Sequence, residues 1–239
     1  MENTTALDPQ VARTLQEMEK RAYTLVIGNK NYSSWSMRPW LVMTAFGIPF
    51  KEVRILLDQP DTANRIAEFS NAGRVPVLLT GDMVIWDSLS ICEFLAEQFP
   101  EKNMWPQDTE ARAIARSVCA EMHAGFGALR SSMPMNIRAS HPGKGRNAGS
   151  QADIGRISEI WEDCFARFGA QRFLFGDFSI ADAYYAPVVM RFCTYGVTLA
   201  PALNAYLERV CQHPAVAQWV RDAHAEPESL PATDNFFNS

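Results

Sequence analysis

The feature of this sequence that most constrains its fold is a change of hydrophobic pattern at about residue 109. Before that point, short apolar segments rich in β-branched residues alternate with segments whose apolar residues recur every three or four positions, as on one face of a helix. After it the strand-like segments disappear and only the helical spacing continues. This pattern predicts an α/β domain followed by an all-α, entirely helical domain.

The first part of the chain predicts the element order β-α-β, then α, then a β-hairpin, then α. The hairpin turn is Thr80-Gly81-Asp82, and such a turn joins antiparallel strands. The predicted strands are 23–27, 50–55, 75–79 and 83–85, and the predicted helices are 36–46, 61–69 and 88–98. One parallel crossover and one antiparallel hairpin therefore share a small sheet.

The second part predicts five helices that follow a proline-bearing linker at 99–108. Apolar residues at helical spacing extend through 111–129 and 154–168, and the remaining helices are expected at 179–192, 201–211 and 214–223. Residues 140–150 are expected to form a flexible loop. The predicted organisation is an N-terminal extension at 1–22 with a short helix near 10–21, an α/β domain at 23–99, a helical domain at 109–224 and a C-terminal tail at 225–239, either loose or covering the binding pocket.

Composition excludes several classes of protein. The net charge of −5 argues against a nucleic-acid-binding surface. No apolar run approaches the roughly 18 residues of a membrane span, and the polar N-terminus does not look like a signal peptide. The five cysteines lie among apolar neighbours without metal-ligand spacing. We therefore expect free thiols, no metal and no membrane partner, with a cytoplasmic location as the simplest one.

A serine-rich turn, Asn31-Tyr32-Ser33-Ser34-Trp35-Ser36, joins the first predicted strand to the first helix. Hydroxyls and spare backbone N–H groups at the positive end of a helix dipole favour an anion. Simple helix capping is the alternative reading of these serines.

Two further segments place polar groups at element starts. Pro76 opens an apolar strand, where a proline cannot donate to the ladder. A cis Val75–Pro76 bond would turn the Val75 backbone toward a ligand, whereas a trans proline is the commoner case. Asp87 and Ser88 precede a helix, where they either cap it or hold the ammonium and the carboxylate of one ligand.

Ser179 and Asp182 have the spacing of a capping box at the start of a helix. We expect this motif to serve folding, and Ser179→Ala to cost about 1 kcal/mol of stability.

Taken in this order, these motifs resemble the cytosolic glutathione transferases over roughly residues 23–224, and the serine turn is most similar to zeta-like and related bacterial members. The resemblance implies a thioredoxin-like N-terminal domain, an all-helical C-terminal domain and a homodimer. It also implies glutathione as co-substrate and a serine hydroxyl that favours the glutathione thiolate for attack on a small electrophile.

The resemblance assigns roles to matching positions. Either Ser33 or Ser34 activates the thiol, because the two spacings found in the family select different serines. Val75, ahead of a cis Pro76, pairs with the cysteinyl part of glutathione, Asp87 and Ser88 hold the γ-glutamyl end, and Arg74 faces the glycyl carboxylate. Candidates for the electrophile pocket are Phe126, Arg130, Met133, Met135 and Tyr185, with core packing as the alternative for each.

Other functions stay open at this stage. A glutathione-dependent cis–trans isomerase of the maleylacetoacetate or maleylpyruvate type needs cationic groups in its second pocket, for which Arg38, Arg130 and Arg138 are candidates. Trp35 stands where zeta-like enzymes carry cysteine, which departs from that pattern. A non-catalytic binding module of the same fold is a further alternative. A serine hydrolase is a distant one, because no Gly-x-Ser-x-Gly motif is present.

Overall fold

The computed structural model describes residues 22–168 and 172–237. The N-terminal extension and its predicted helix fall almost wholly outside the described residues. The first part of the described chain contains four strands and three helices in the predicted order. They are β1 (Tyr23–Ile27), α1 (Ser34–Ala45), β2 (Phe50–Arg54), α2 (Thr62–Ala67), β3 (Val77–Thr80), β4 (Met83–Ile85) and α3 (Ser88–Gln98).

The four strands form one sheet in the order β2-β1-β3-β4. β1 pairs with β2 in parallel, Tyr23 opposite Phe50, and with β3 antiparallel, Val26 opposite Val77. β3 and β4 form the expected hairpin. The mixed sheet with flanking helices is the predicted thioredoxin-like architecture.

Helices alone make up the regular structure of the described residues after the hairpin. Following the 3₁₀ turn Pro100–Lys102, they are α4 (Thr109–Ala124), α5 (Gly127–Ser132), α6 (Ala148–Phe168), α7 (Ile180–Tyr195), α8 (Pro201–Gln212), α9 (Pro214–Ala225) and the short α10 (Pro231–Asp234). The predicted fold class, an α/β sheet domain followed by a helical domain, is confirmed.

Two of the predicted boundaries are wrong. The apolar spacing through 111–129 predicts one helix, but the chain breaks at Gly125 and Phe126, where Phe126 adopts the left-handed conformation with φ of 56°. The loop expected at 140–150 ends earlier, because α6 begins at Ala148. Ser150 binds back to the loop, its Oγ donating to the Gly145 carbonyl at 2.8 Å, so the first turn of α6 is tied to the segment before it.

Helix α1 lies at the centre of the molecule. It packs against α3, α7 and α9, and its buried residues belong to a core that also includes Leu25 of β1 and Trp161 of α6. The first turn of α1 is thereby held at the junction of the sheet and the helices. No helix within the described ranges combines the length and hydropathy that crossing a membrane requires.

Candidate functional site

A cavity of about 540 Å³ opens between the sheet part and the helical part, beside the first turn of α1. Its walls come from α1, from the segment before β3, from the start of α3 and from α4 and α5. The lining residues are Trp35, Ala72, Arg74, Val75, Pro76, Trp86, Asp87, Ser88, His123 and Arg130. The volume is within the usual range for a small-molecule site.

All five residues expected to hold glutathione line this cavity: Arg74, Val75, Pro76, Asp87 and Ser88. The Val75–Pro76 peptide is cis, as the resemblance implies, and the Trp86–Asp87 peptide is cis as well. Asp87 is also the N-cap of α3, its Oδ1 accepting from the Leu89 N–H at 3.1 Å. Capping uses only this oxygen, and the second carboxylate oxygen, Oδ2, lies 3.0 Å from His123 Nε2.

The two candidate activating serines flank the cavity residue Trp35 in the sequence but are not themselves among the lining residues. Ser33 caps α1: its Oγ accepts from the Ser36 N–H at 3.4 Å and donates to the Ser36 Oγ at 2.7 Å. Ser34 Oγ accepts from the Arg191 guanidinium at 3.4 Å. Both serines are buried, and the adjacent Trp35 is the α1 residue that lines the cavity.

Among the electrophile-pocket candidates, only Arg130 lines the cavity. Met133, Met135 and Phe126 are buried in the hydrophobic core. Tyr185 is fully buried and its hydroxyl donates to the Val118 carbonyl at 3.1 Å. Core packing, the alternative for each, describes the positions of these four, because all of them belong to the main hydrophobic core cluster.

His123, at the C-terminal turn of α4, joins both ends of the predicted γ-glutamyl site. Its Nε2 lies 3.0 Å from Asp87 Oδ2, and its Nδ1 lies 3.2 Å from the Tyr184 hydroxyl. That hydroxyl is 2.9 Å from Ser88 Oγ. The two residues predicted to hold one ligand are thus connected through a histidine and a tyrosine from the helical part.

Three arginines create positive potential beside the first turn of α1. Arg38 is 1% exposed and stacks on the rings of Trp35 and Tyr184, with its Cζ 4.2 Å and 4.5 Å from their centres. Burial lowers the pKa of Arg38 and of Arg191, and the neighbouring cations add to this effect. The Cζ of Arg130 also lies over the Trp35 ring, 5.3 Å from its centre.

None of these three arginines has an ion pair with a carboxylate among the described residues. Arg38 donates to the Tyr184 carbonyl at 3.3 Å, while its Nη1 is buried without a described partner. Uncompensated cations in a region of low dielectric favour an anion nearby.

The C-terminal tail packs against the serine turn, behind the cavity. Glu226 accepts from the backbone N–H groups of Lys30 and Asn31 at 2.7 Å and 3.2 Å. Arg138, a candidate for the second pocket, is instead bonded to the carbonyls of Glu226 and Glu228. The described part of the tail, through residue 237, is therefore packed on the protein and outside the cavity lining, and it contacts Arg138, which does not line the cavity either.

Four cavity-lining residues were not predicted from the sequence: Trp35, Ala72, Trp86 and His123. Trp35 lies inside the serine motif, so its position was a usable signal. His123 carries no local motif, because its partners are 36 and 61 positions away in the chain.

Two family models match the chain. The model described as "Glutathione S-transferase, N-terminal domain" matches residues 32–98, and "Glutathione S-transferase, C-terminal domain" matches residues 144–222. The chain belongs to the glutathione S-transferase family. The N-terminal match contains Ser33 and Ser34, the segment before β3 and the start of α3, and it therefore includes all the cavity-lining residues except His123 and Arg130.

Relatives of this chain carry diverse names. A probable maleylacetoacetate isomerase of Caenorhabditis elegans is 23% identical, with 84% of this chain and 91% of the relative covered. A stringent starvation protein A homolog of Haemophilus ducreyi is 24% identical, with 83% of this chain and 90% of the relative covered. The crystal structure of a glutathione transferase homolog from Burkholderia GL BGR1, with bound glutathione, superposes with a TM-score of 0.66 at 24% identity, covering 86% of this chain and all of that one. That likeness supports the fold.

Proposed function

We propose that this protein binds glutathione in the cavity and presents its thiolate to a small electrophile. In this proposal Val75 pairs through its backbone with the cysteinyl part of glutathione. Asp87 binds the γ-glutamyl ammonium, Ser88 and the start of α3 bind the γ-glutamyl carboxylate, and Arg74 faces the glycyl carboxylate. The thiol then lies toward the first turn of α1.

One observation carries this proposal. Arg74, Val75, Asp87 and Ser88 come from two separate segments of the chain, and all four line one cavity of about 540 Å³ next to the N-terminus of a buried helix. A carboxylate, a hydroxyl, an exposed backbone segment and a guanidinium in one cavity complement a zwitterionic peptide with two carboxylates. A relative named glutathione S-transferase GstB, from Escherichia coli strain K12, is 22% identical over 82% of this chain.

The electrostatics of the first turn of α1 supports thiolate formation. Free glutathione thiol ionises near the reference value of about 8.5. The helix N-terminus and the buried guanidinium groups of Arg38 and Arg191 both favour the negative form. Each unit by which the pKa falls corresponds to about 1.36 kcal/mol of differential stabilisation.

Of the two serines, the hydrogen bonds favour Ser34 as the donor to sulfur. The Ser33 hydroxyl hydrogen is taken by Ser36 Oγ. Ser34 Oγ accepts from the cationic Arg191, and none of the described groups takes its hydrogen. We therefore assign capping to Ser33 and thiol activation to Ser34.

Ultraviolet absorbance of the thiolate against pH, recorded on the glutathione complexes of the wild type and of both serine variants, tests this proposal. We expect a wild-type thiol that ionises below the free value, a shift that is lost in Ser34→Ala and retained in Ser33→Ala. Loss of the shift only in Ser33→Ala would reverse the assignment. Binding with an unshifted thiol would reduce the protein to a glutathione holder, and absence of binding would favour the non-catalytic binding module.

The placement of two arginines favours a second candidate, glutathione-dependent isomerisation of a diacid. Arg130 and Arg74 line the cavity and supply the cationic groups that such a substrate requires. The relative from Caenorhabditis elegans bears the name of an isomerase. Turnover of maleylacetone compared with a neutral aryl halide decides between the two: isomerisation that is lost in Arg130→Met supports this candidate, and conjugation alone excludes it.

A further inference from the structure

Four side chains along the cavity wall form a continuous hydrogen-bonded chain. Asp87 Oδ2 lies 3.0 Å from His123 Nε2, and His123 Nδ1 lies 3.2 Å from Tyr184 Oη. Tyr184 Oη lies 2.9 Å from Ser88 Oγ. Asp87 and Ser88 stand at the two ends of this series of hydrogen bonds. In the proposed function, Asp87 binds the γ-glutamyl ammonium and Ser88 binds the γ-glutamyl carboxylate.

These four side chains have few hydrogen atoms to donate to one another. An ionised Asp87 only accepts, so His123 Nε2 must carry a hydrogen, and Nδ1 then accepts in the neutral imidazole and donates in the imidazolium. Tyr184 has a single hydroxyl hydrogen, and burial raises the pKa of Tyr184, so it keeps that hydrogen. Tyr184 can therefore donate either to His123 or to Ser88, but not to both.

Two arrangements follow from this count. With neutral His123, Tyr184 donates to Nδ1, and the hydroxyl of Ser88 donates to the Tyr184 oxygen. Ser88 then has no hydrogen for a ligand carboxylate. With protonated His123, Nδ1–H donates to Tyr184, Tyr184 donates to the Ser88 oxygen, and the Ser88 hydrogen is free for the ligand.

We propose that His123 and Tyr184 are positioning residues that couple uptake of one proton to binding of a γ-glutamyl carboxylate at Ser88. The inference rests on the proposed function, because it concerns the same end of glutathione. In this proposal, two residues of the helical part determine at which pH the Ser88 hydroxyl can donate a hydrogen bond to the ligand. Asp87 and Ser88, which bind the ligand, belong to the sheet part.

Charged and aromatic groups from several helices face the imidazole or adjoin its partner. Asp87 at the start of α3 attracts an imidazolium, whereas Arg130 of α5, in the same cavity, repels it. The Trp35 ring meets the imidazole edge-on, with ring centres 5.1 Å apart. Arg38 lies over the Tyr184 ring rather than over His123.

The sign of the pH dependence discriminates between two effects. Protonation of His123 frees the Ser88 hydrogen, which strengthens binding at low pH. The same charge repels the incoming γ-glutamyl ammonium near Asp87, which weakens binding at low pH. The proposal requires the first effect to exceed the second.

The test is calorimetric titration of the full chain with S-methylglutathione, which lacks a titrating thiol, between about pH 5 and pH 8, where histidine changes charge. We expect the wild-type Kd to rise with pH, approaching about tenfold per unit, because one bound proton is linked to binding. Near neutral pH, the binding enthalpy measured in buffers of different ionisation enthalpy should show that the complex takes up protons as it forms.

Tyr184→Phe removes the link and frees the Ser88 hydrogen at every pH. We expect this variant to lose the rise of Kd with pH and to show no proton uptake. Because protonated His123 still repels the γ-glutamyl ammonium near Asp87, its Kd should be flat or fall as pH rises. Tyr195→Phe is the matched control, because Tyr195 is a buried tyrosine of the same helix whose hydroxyl donates to the Pro134 carbonyl at 2.9 Å. It should retain the wild-type pH profile.

Several outcomes would overturn the coupling. A wild-type affinity that is flat with pH or weakens at low pH would do so, and so would a Tyr184→Phe variant that keeps the wild-type profile. Each of these results would contradict the coupling but not the proposal that the cavity binds glutathione. Failure of S-methylglutathione to bind at any pH would instead remove the proposed function together with the coupling.

A second, independent observation concerns two thiols outside the cavity lining. Cys193 of α7 and Cys211 of α8 have sulfur atoms 3.7 Å apart, Cys193 is exposed, and neither is oxidised. A disulfide needs the sulfurs at about 2.05 Å, so oxidation requires the two sulfur atoms to approach from this separation. The hydrogen bond from Cys211 lowers the pKa of Cys193, and the thiolate is the nucleophilic form.

The geometry points to a pair of thiols that a hydroperoxide oxidises to a disulfide, which then links α7 to α8. The Cys193 thiolate attacks a hydroperoxide oxygen, giving a sulfenic acid and, once protonated, an alcohol or water. The Cys211 thiol then attacks the sulfenic sulfur, forming the disulfide and releasing water. Two thiols lose two electrons, and one hydroperoxide accepts them.

Treatment of the full chain with hydrogen peroxide, followed by trypsin and mass spectrometry, tests this inference. Arg191, Arg209 and Arg221 place the two cysteines on separate peptides, 192–209 and 210–221. We expect a disulfide to join these two peptides and two of the five thiols to be lost. Dithiothreitol should restore both thiols. In Cys211→Ser, Cys193 should proceed to sulfinic acid. Unjoined peptides with Cys193 overoxidised in the wild type would overturn the inference.

Discussion

At the residue scale, Arg38 combines deep burial with the absence of a carboxylate partner among the described residues, and its Nη1 has no described acceptor. We expect Arg38→Met to raise the pKa of the bound glutathione thiol by about one unit, because a nearby positive charge is lost. The same change should leave the free energy of unfolding unchanged or higher, since replacing a buried uncompensated charge by an apolar group removes a desolvation cost. Thiolate absorbance and urea unfolding measure the two quantities. A variant that loses stability and keeps the thiol shift would show that Arg38 serves the core alone.

Asp182 is a second buried charge, and its role is structural. The capping box predicted at Ser179 and Asp182 is present, and the Asp182 carboxylate also accepts from the Leu174 N–H and the Tyr206 hydroxyl. Burial nevertheless raises the pKa of Asp182 to about 6, with these hydrogen bonds opposing the shift. A pKa above the unfolded value of about 3.9 means that the folded state binds the proton more tightly.

The stability contributed by Asp182 is therefore complete below about pH 4 and is lost as pH rises through about 6. We expect the difference in unfolding free energy between wild type and Asp182→Asn to shrink by about 3 kcal/mol from acid to neutral pH. Urea unfolding at a series of pH values measures this difference. A difference that grows toward neutral pH would mean that the donors hold the carboxylate ionised.

At the element scale, the tail restrains the turn that leads into the serine motif. Glu226 accepts from two backbone N–H groups of that turn and also pairs with Arg54 at 2.8 Å. We expect Glu226→Gln to lower the free energy of unfolding by about 2 kcal/mol, because the amide offers one acceptor where the carboxylate offers two. Glu228→Gln is the matched control: Glu228 pairs with Arg54 in a more exposed position, so its loss should cost less than about 1 kcal/mol. Equal losses would show that the backbone contacts contribute nothing.

Local signals account for the elements that the sequence predicted well. Helix α3 has the predicted bounds, Ser88–Gln98, because a capping Asp87 and a following Pro100 mark both ends. The break at Gly125 was missed, because the apolar spacing continues across it and the left-handed Phe126 has no sequence signature. In the site, the segments at Val75 and Asp87 carried recognisable motifs. The partners of His123 lie on other helices, and such long-range contacts are not encoded in spacing along one chain.

At the scale of the whole molecule, the sheet part and the helical part share one core, in which Leu25 of β1 and Trp161 of α6 belong to the same cluster. Trp219 of α9 couples the parts directly: it packs edge-on against Trp40 of α1 at 5.2 Å, and its Nε1–H donates to the Lys30 carbonyl at 3.0 Å. A contiguous core predicts cooperative unfolding, so the most protected amides of β1 and α7 should report the same free energy of opening by hydrogen exchange. Trp219→Phe removes a buried hydrogen bond and packing volume, and should lower both values together by about 2 kcal/mol. If β1 alone lost protection, the two parts would be separate cooperative units, and the cavity between them would open without global unfolding.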